Sequence, residues 1–309
     1  MKNSVIPNRG RTLSDRTAFR EVYRNRNIYI LLIPAVFYFT LFHYIPMING
    51  VIISLQDYSF SGNSPFVGLK HYRAIIQDRD FWLSFRNTLI IGGGNIIMSF
   101  IFQILLALLL NEVFFPRFKK LVQTVIYTPY LFSWVAVGGI WISLLSPDRG
   151  MINTILGNMG FSTVHFMTSE KLIVPVFWFL HTWRSAGYGC VIFLAALTGI
   201  DPCLYEAAYI DGAGRLKQTF AITIPGLYST MKVVFMLNLI SSLRMFSQAY
   251  ILSNPMVIDK TEVAMTYTYK LGLRNFRMDY ASAVAFFMLI LIAGLTGMYQ
   301  LATRSKEQN

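Results

Sequence analysis

This sequence predicts an all-α membrane protein with six transmembrane helices, and three observations carry that prediction. Its 309 residues are 54% hydrophobic and only 14% charged, against about 25% charged in a soluble domain. Six apolar runs are each long enough to cover the ~30 Å hydrocarbon core, which takes roughly 20 helical residues. Lysine and arginine also collect in alternate connections, the asymmetry that marks one membrane face. Helices are the expected element because a chain inside lipid must satisfy its own backbone donors and acceptors.

In chain order, residues 1–27 form a polar, basic tail in which Leu13, Phe19, Val22 and Tyr23 are set among Arg16, Arg20, Arg24 and Arg26. Such a segment is either a short helix on an anionic leaflet, where each basic residue gains about 1 kcal/mol, or a tail that only sets topology. The six-helix domain follows over 28–303, and 304–309 form a second tail. Spans are expected at Tyr29–Leu55, Asn87–Leu110, Leu121–Leu145, Leu172–Gly199, Ile224–Leu252 and Ala281–Ala302. The first begins too late and runs too long for a secretory h-region. It also lacks a small-x-small cleavage site, so it reads as a retained helix. Pro34, Pro46, Pro129 and Pro175 fall within or at the ends of the runs, where neighbouring helices can re-satisfy the freed backbone groups. Gly92-Gly-Gly94 suits close helix packing. The 56–86, 146–171 and 253–280 connections are each long enough for a short helix, and loops of that size either receive a delivering protein or cap a pore.

Charge orients the chain. The two tails and the 111–120 and 200–223 connections hold fourteen Lys and Arg against seven Asp and Glu. The three long connections, with Arg86 set aside at a boundary, hold nine against eight. The excess places both termini and the 200–223 connection on the cytoplasmic side. The net charge of +12 does not point to nucleic acid, because the basic residues are divided among loops with no basic-aromatic groove. Cys190 falls in the fourth span and Cys203 just inside the membrane, so no disulfide framework is implied.

The most specific segment lies between the fourth and fifth spans. Asp201-Pro202 is a helix start, with an acceptor at the N-cap and a proline at N1. A short helix through Cys203–Ile210 presents Glu206 on its exposed side, while Ala207 and Ala208 permit close approach. Gly212 frees the backbone for a sharp turn. Phe220 and Ile222 then return to apolar surroundings, and Pro225 opens the fifth span. Physically this is a rigid knob joined to two spanning helices.

The knob resembles the EAA loop of bacterial ABC importer permeases at Glu206, Ala207, Ala208, Asp211, Gly212, Ala213, Phe220 and Pro225, all at the family's spacing. Ile224-Pro225 stands where that family often has Leu-Pro. Over about residues 28–300 the chain also resembles carbohydrate importer permeases, in particular those for complex oligosaccharides and polysaccharide fragments. The motifs are Gly68-Leu-Lys-His-Tyr, Phe85-Arg-Asn-Thr-Leu, Leu106-Ala-Leu-Leu-Leu-Asn-Glu112, Gln123-Thr-Val-Ile-Tyr-Thr-Pro129 and Gly150-Met-Ile-Asn-Thr-Ile-Leu-Gly157. The resemblance implies a type I importer permease of the bacterial inner membrane that works by alternating access. It also implies a second, homologous permease, two ATPase subunits and an extracytoplasmic solute-binding protein. ATP and Mg would belong to the ATPase, leaving this chain without a cofactor, and Glu206 and Gly212 would be the positions needed for coupling.

All fifteen acidic residues lie in tails or connections, yet Arg184 and Arg244 lie inside spans. A cation at that depth costs from about 3 to more than 10 kcal/mol unless it faces a bundle interior or a wet cavity. Two stripes at helical spacing contain them: His181, Arg184 and Tyr188, and Asn238, Ser241, Arg244 and Gln248. Trp178, Trp183 and Tyr250 add aromatic surface nearby. Lys232 lies close enough to the cytoplasmic end to snorkel. Two readings of the arginines stand. They bond helix-end carbonyls or a partner's acid, or they line the path and meet an oligosaccharide, with uronic acids as the expected counter-charge.

The sequence has no Gly-x-x-x-x-Gly-Lys-Ser/Thr phosphate loop, and His43, His71, His165 and His181 have no metal-site spacing. An intramembrane enzyme would need an acid–base or metal cluster at depth. A permease for a non-sugar solute, such as an amino acid or phosphate, is the other alternative. ATPase stimulation by a panel of binding proteins and ligands separates these.

Overall fold

Among the described residues three helices are each long and apolar enough to cross a membrane, and three bent helix pairs, one of them the fourth span with the short helix that follows it, bring the crossings to six. The computed structural model describes residues 25–304, so nearly all of the basic N-terminal tail and the tail after Arg304 lie outside the described residues. The first crossing joins Arg26–Phe39 to Ile45–Ser54 through a π-helical turn at Thr40–Tyr44. That wider turn precedes Pro46, whose ring would meet the carbonyl four residues back in a regular helix. Ile45–Ser54 packs against the sixth crossing, whereas the described side chains before it in this helix are exposed.

The second crossing starts well before the expected Asn87. It runs from Arg79 to Asn111, 33 residues or about 50 Å at 1.5 Å per residue, so it projects beyond the bilayer. Asp78 supplies the missing start signal: its Oδ1 accepts from the amides of Asp80 at 3.0 Å and Phe81 at 3.2 Å. Its Oδ2 accepts from the hydroxyls of Tyr267 and Tyr280, each at 2.5 Å. Burial pushes the Asp78 carboxyl up, but these hydrogen bonds outweigh it and hold the group below the usual carboxylate range. The same contacts pin the second crossing to the sixth, Met278–Arg304.

The third and fifth crossings differ from the uninterrupted spans expected at Leu121–Leu145 and Ile224–Leu252. The third divides into Pro116–Leu131 and Trp134–Leu144, which meet at 98°. Phe132 is extended, and Ser133 caps the new helix by accepting from the Ala136 amide at 3.2 Å. Pro129 has already removed one donor from the last turn. The fifth crossing bends by 64° between Arg215–Gly226 and Tyr228–Leu243, just after Pro225-Gly226. It breaks again over Arg244–Phe246 before Ser247–Leu252. No proline or glycine marks that second break, and Met245 is buried there beside Ile91 and Phe177.

The fourth crossing, Ile173–Leu197, packs along the second. Gly94 makes this approach possible, since a Cβ there would overlap the Trp178 indole; the close-packing role expected of the glycine run therefore falls chiefly on this residue. Two polar ties cross the core. The Asn95 amide donates to Gln248 Oε1 at 3.1 Å, and Gln248 Nε2 donates to the Phe177 carbonyl at 2.8 Å. Asn238 donates to Gln103 Oε1 at 3.2 Å, and Gln103 donates to the Ser185 carbonyl at 3.3 Å. Each tie joins the second, fourth and fifth crossings. Each long connection holds helix: Lys70–Gln77, Met151–Asn158, and Ile258–Thr261 with Ala264–Tyr269. Cys190 is buried and Cys203 exposed, both free.

Candidate functional site

The knob between the fourth and fifth crossings is a helix with both ends locked. Pro202–Ile210 leaves the fourth crossing at 74°, and Asp201 accepts from the Cys203 amide at 2.9 Å. At the other end Gly212 adopts φ +74°. Its amide donates to Tyr209 and that of Ala213 to Ala208, at 3.0 and 2.9 Å. This is the paired closure of a helix ending in a left-handed residue, where a Cβ is disfavoured. Glu206 and Ala207 are exposed, Ala208 is half-buried and Asp211 caps the C-terminus.

Tyr209 and Ile210 are 78% and 84% exposed, and Phe220 is 68% exposed. Exposed apolar surface on a rigid projection is what a docking partner covers. Of this apolar rim the sequence pattern included Phe220 but not Tyr209 or Ile210. Behind the knob, Tyr205 shares a 3.0 Å hydrogen bond with Thr223, and Arg215 pairs with Glu112 at 2.8 Å. Pro225 sits in the first turn of Ile224–Gly226. The knob is thus bonded to the fifth crossing, and the helix that follows it to the loop joining the second crossing to the third.

The second candidate region lies at the break in the third crossing. Arg184 Nε donates to the Phe132 carbonyl at 3.1 Å, and Nη2 donates to Tyr130 and Phe132 carbonyls at 3.1 and 3.0 Å. Its guanidinium also lies 5.2 Å from the Tyr130 ring centroid and 5.0 Å from that of Trp134. This is the helix-end-carbonyl arrangement, one of the two readings of the sequence. The aromatic wall continues: Tyr188 stacks on Tyr130 at 4.6 Å, His181 on Trp134 at 6.1 Å, and Trp183 meets Trp141 edge-on at 5.4 Å. Tyr130, Trp134 and Trp141 were not singled out in the sequence, because aromatic residues in an apolar run carry no stripe. Pro129 followed by Ser133, a breaker and then an N-cap, was the available signal.

The other expected stripe does not hold together. The break over Arg244–Phe246 ends the helical register that would align it. Gln248 is 2% exposed with its amide engaged on both sides, and Asn238 is tied to Gln103, so both act as links between crossings. Ser241 and Arg244 remain exposed. Arg244 lines a groove of about 570 Å³ with Ile240, Met265, Phe286 and Gln300 against the sixth crossing, away from Arg184. Trp178 fills the Gly94 notch and belongs to the core packing.

One cluster was invisible in the spacing of the histidines. Asp57, His71 and Asp279 place their ligand-type atoms within 4.8 Å of one another. His71 Nε2 is 3.0 Å from the Gln56 carbonyl and 3.7 Å from Asp279, while Lys70 pairs with Asp57 at 3.0 Å. These contacts make the cluster a brace between the first long connection and the sixth crossing.

Residues 103–307 match the family of the binding-protein-dependent transport system inner membrane component. The chain belongs to this family. It is 39% identical over 271 residues to the polygalacturonan/rhamnogalacturonan transport system permease protein YteP of Bacillus subtilis (strain 168), covering 86% of this chain and 84% of the relative. Protein LplB of the same organism is 34% identical, over 88% of this chain and 87% of that protein. A solved bacterial alginate ABC transporter, in complex with an alginate pentasaccharide-bound periplasmic protein, contains a chain that superposes with a TM-score of 0.85 at 30% identity. That match covers 93% of this chain and 97% of the other. The bent third and fifth crossings and the projecting helix thus belong to a type I importer permease.

Proposed function

We propose that this permease carries an oligosaccharide, uronate-containing, from an extracytoplasmic binding protein into the cytoplasm, driven by ATPase subunits that seat on the Pro202–Ile210 knob. The observation that carries the reading is that knob: a locked helix with exposed Glu206, Tyr209 and Ile210, continuous with two crossings. The substrate class is supported by YteP, named for polygalacturonan and rhamnogalacturonan, and by the solved importer of the acidic polysaccharide alginate. It is also supported by the wall of Tyr130, Trp134, His181, Trp183 and Tyr188 around Arg184. Ser241 and Arg244 are exposed polar positions near the second break of the fifth crossing. The complex would pair this chain with a similar permease, and both termini would be cytoplasmic. ATP and Mg would act on the ATPase, this chain holding no cofactor and catalysing no reaction. ATP-driven closure would push the knob, open the bundle to the binding protein, and hydrolysis would return it inward.

Gly212→Pro tests the coupling, because proline cannot adopt φ +74°. The variant and Glu206→Ala should assemble but lose at least about tenfold of uptake while ATP hydrolysis is uncoupled or the ATPase detaches. Wild-type uptake with wild-type stimulated ATPase activity in both would end the reading. Orientation is checked by thiol labelling from outside, which should reach cysteines placed at Ser61, Asn158 and Asn275 and spare those at Arg117 and Lys217.

A further inference from the structure

At the end of the bundle opposite the knob, the chain between the fifth and sixth crossings folds around a second cavity. Tyr250, Asn254, Glu262, Tyr269, Lys270 and Arg274 line it, with a volume of about 450 Å³, inside the range of small-molecule sites. One wall is a braced aromatic cluster. Phe246 stacks on Tyr250 at 5.2 Å, and Tyr269 packs on both rings at 5.3 Å. Tyr250 is nevertheless 41% exposed, so a ring face held by its neighbours is presented to the opening.

The facing wall is charged. A π-helical turn spans Lys270–Arg274. Lys270 is engaged by Glu262 at 3.3 Å, which leaves Arg274 as the uncompensated cation of the lining. Asn254 is not available to a ligand: it donates to the Met167 carbonyl at 2.8 Å and accepts from the Met256 amide at 3.1 Å. Those two bonds fix the rim and tie it to the connection after the third crossing. The cavity is thus preformed, aromatic on one side and cationic on the other.

We propose that this cavity is a carbohydrate subsite, separate from the Arg184 region, that receives an acidic sugar unit as the chain enters the permease. A pyranose ring lays its C–H face on Tyr250, the planar fork of Arg274 takes the carboxylate in two parallel hydrogen bonds, and the Lys270–Glu262 pair meets ring hydroxyls. The inference rests on the oligosaccharide reading above and adds a place and a charge preference to it. A concave cavity of this size suits a sugar better than a protein surface, since specific protein contacts cover about 800 Å² per partner.

The test uses the complete importer in proteoliposomes with its binding protein. The probes are trisaccharides from polygalacturonate and alginate, each beside its neutral methyl ester. Arg274→Gln should raise the half-saturating concentration of the acidic probe about tenfold, the effect of one charge-assisted contact. It should leave the ester within about twofold, and Arg274→Lys should recover part of the loss. Tyr250→Ala should weaken both probes alike. Equal behaviour of acid and ester in Arg274→Gln would overturn the subsite. So would weakened attachment of the unloaded binding protein in that variant, which would make the cavity a protein contact. Failure of the wild-type importer to take up any of the trisaccharides would instead remove the oligosaccharide reading, and the subsite with it.

Discussion

The two interrupted crossings make an instructive pair, because each has an arginine at the broken end of a helix and the two are used differently. A helix that stops inside a membrane leaves carbonyls without donors and the negative end of its dipole unscreened. In the third crossing the gap is filled from outside: Arg184, from the fourth crossing, donates to Tyr130 and Phe132 and is covered by two rings. In the fifth crossing Arg244 is itself the residue at the end of Tyr228–Leu243, and it projects into the groove beside the sixth crossing. One cation closes a break and holds two crossings together. The other sits at a helix end without bonding its carbonyls and keeps its head exposed in the groove. The depth of an arginine in the membrane therefore does not define its role; the carbonyls within its reach do.

The largest effect should come from Arg184→Gln. It strips donors from two carbonyls at membrane depth, each worth several kcal/mol when left unsatisfied. The assembled complex should fall about tenfold or more in membranes for every sugar offered, with Arg184→Lys recovering part of it. Normal assembly with only an acid-selective uptake defect would erase the distinction between the two breaks.

Arg244→Gln should be milder and different in kind. Assembly should stay within about twofold of wild type, because among the described residues that side chain bonds no backbone carbonyl, while uptake of an acidic oligosaccharide should drop by about three- to tenfold relative to its neutral ester. Equal wild-type uptake of both would remove Arg244 from the path.

A third helix end, outside the membrane, sets the lower scale. Asp78→Asn keeps an N-cap acceptor but removes the charge that strengthens the hydrogen bonds from Tyr267 and Tyr280, and should cost about 1 kcal/mol of thermal stability in detergent. Because the folded carboxyl is held below 3.8, its contribution should be complete above about pH 4 and be lost as the pH falls through the lowered value. An unchanged acid limb in Asp78→Asn would show that this cap contributes nothing measurable.

Much of this was legible in the sequence. Six apolar runs, the Asp201-Pro202 start and the left-handed turn at Gly212 are local features, set by residue type and a period of a few residues, and the helices formed as those features required. Tyr29–Leu55 and Ala281–Ala302 shifted only by a few residues at their ends. The second crossing began early because its cap, Asp78, draws half of its partners from Tyr267 and Tyr280, nearly two hundred residues away.

The breaks and the destinations of polar side chains were decided by tertiary structure. Phe132 stays extended because a guanidinium 52 residues later accepts the cost of its bare carbonyl. Gln248 looked like part of a path-lining stripe, but the break at Arg244–Phe246 turns it into the core, where Asn95 and Phe177 take both ends of its amide. Sequence alone determined which segments lie in the membrane, because transfer from water depends on composition over about twenty residues. Where each helix stops and which way its polar groups point was fixed only by the folded bundle, because inside lipid a hydrogen-bonding group is satisfied by whatever partner packing brings within 3 Å.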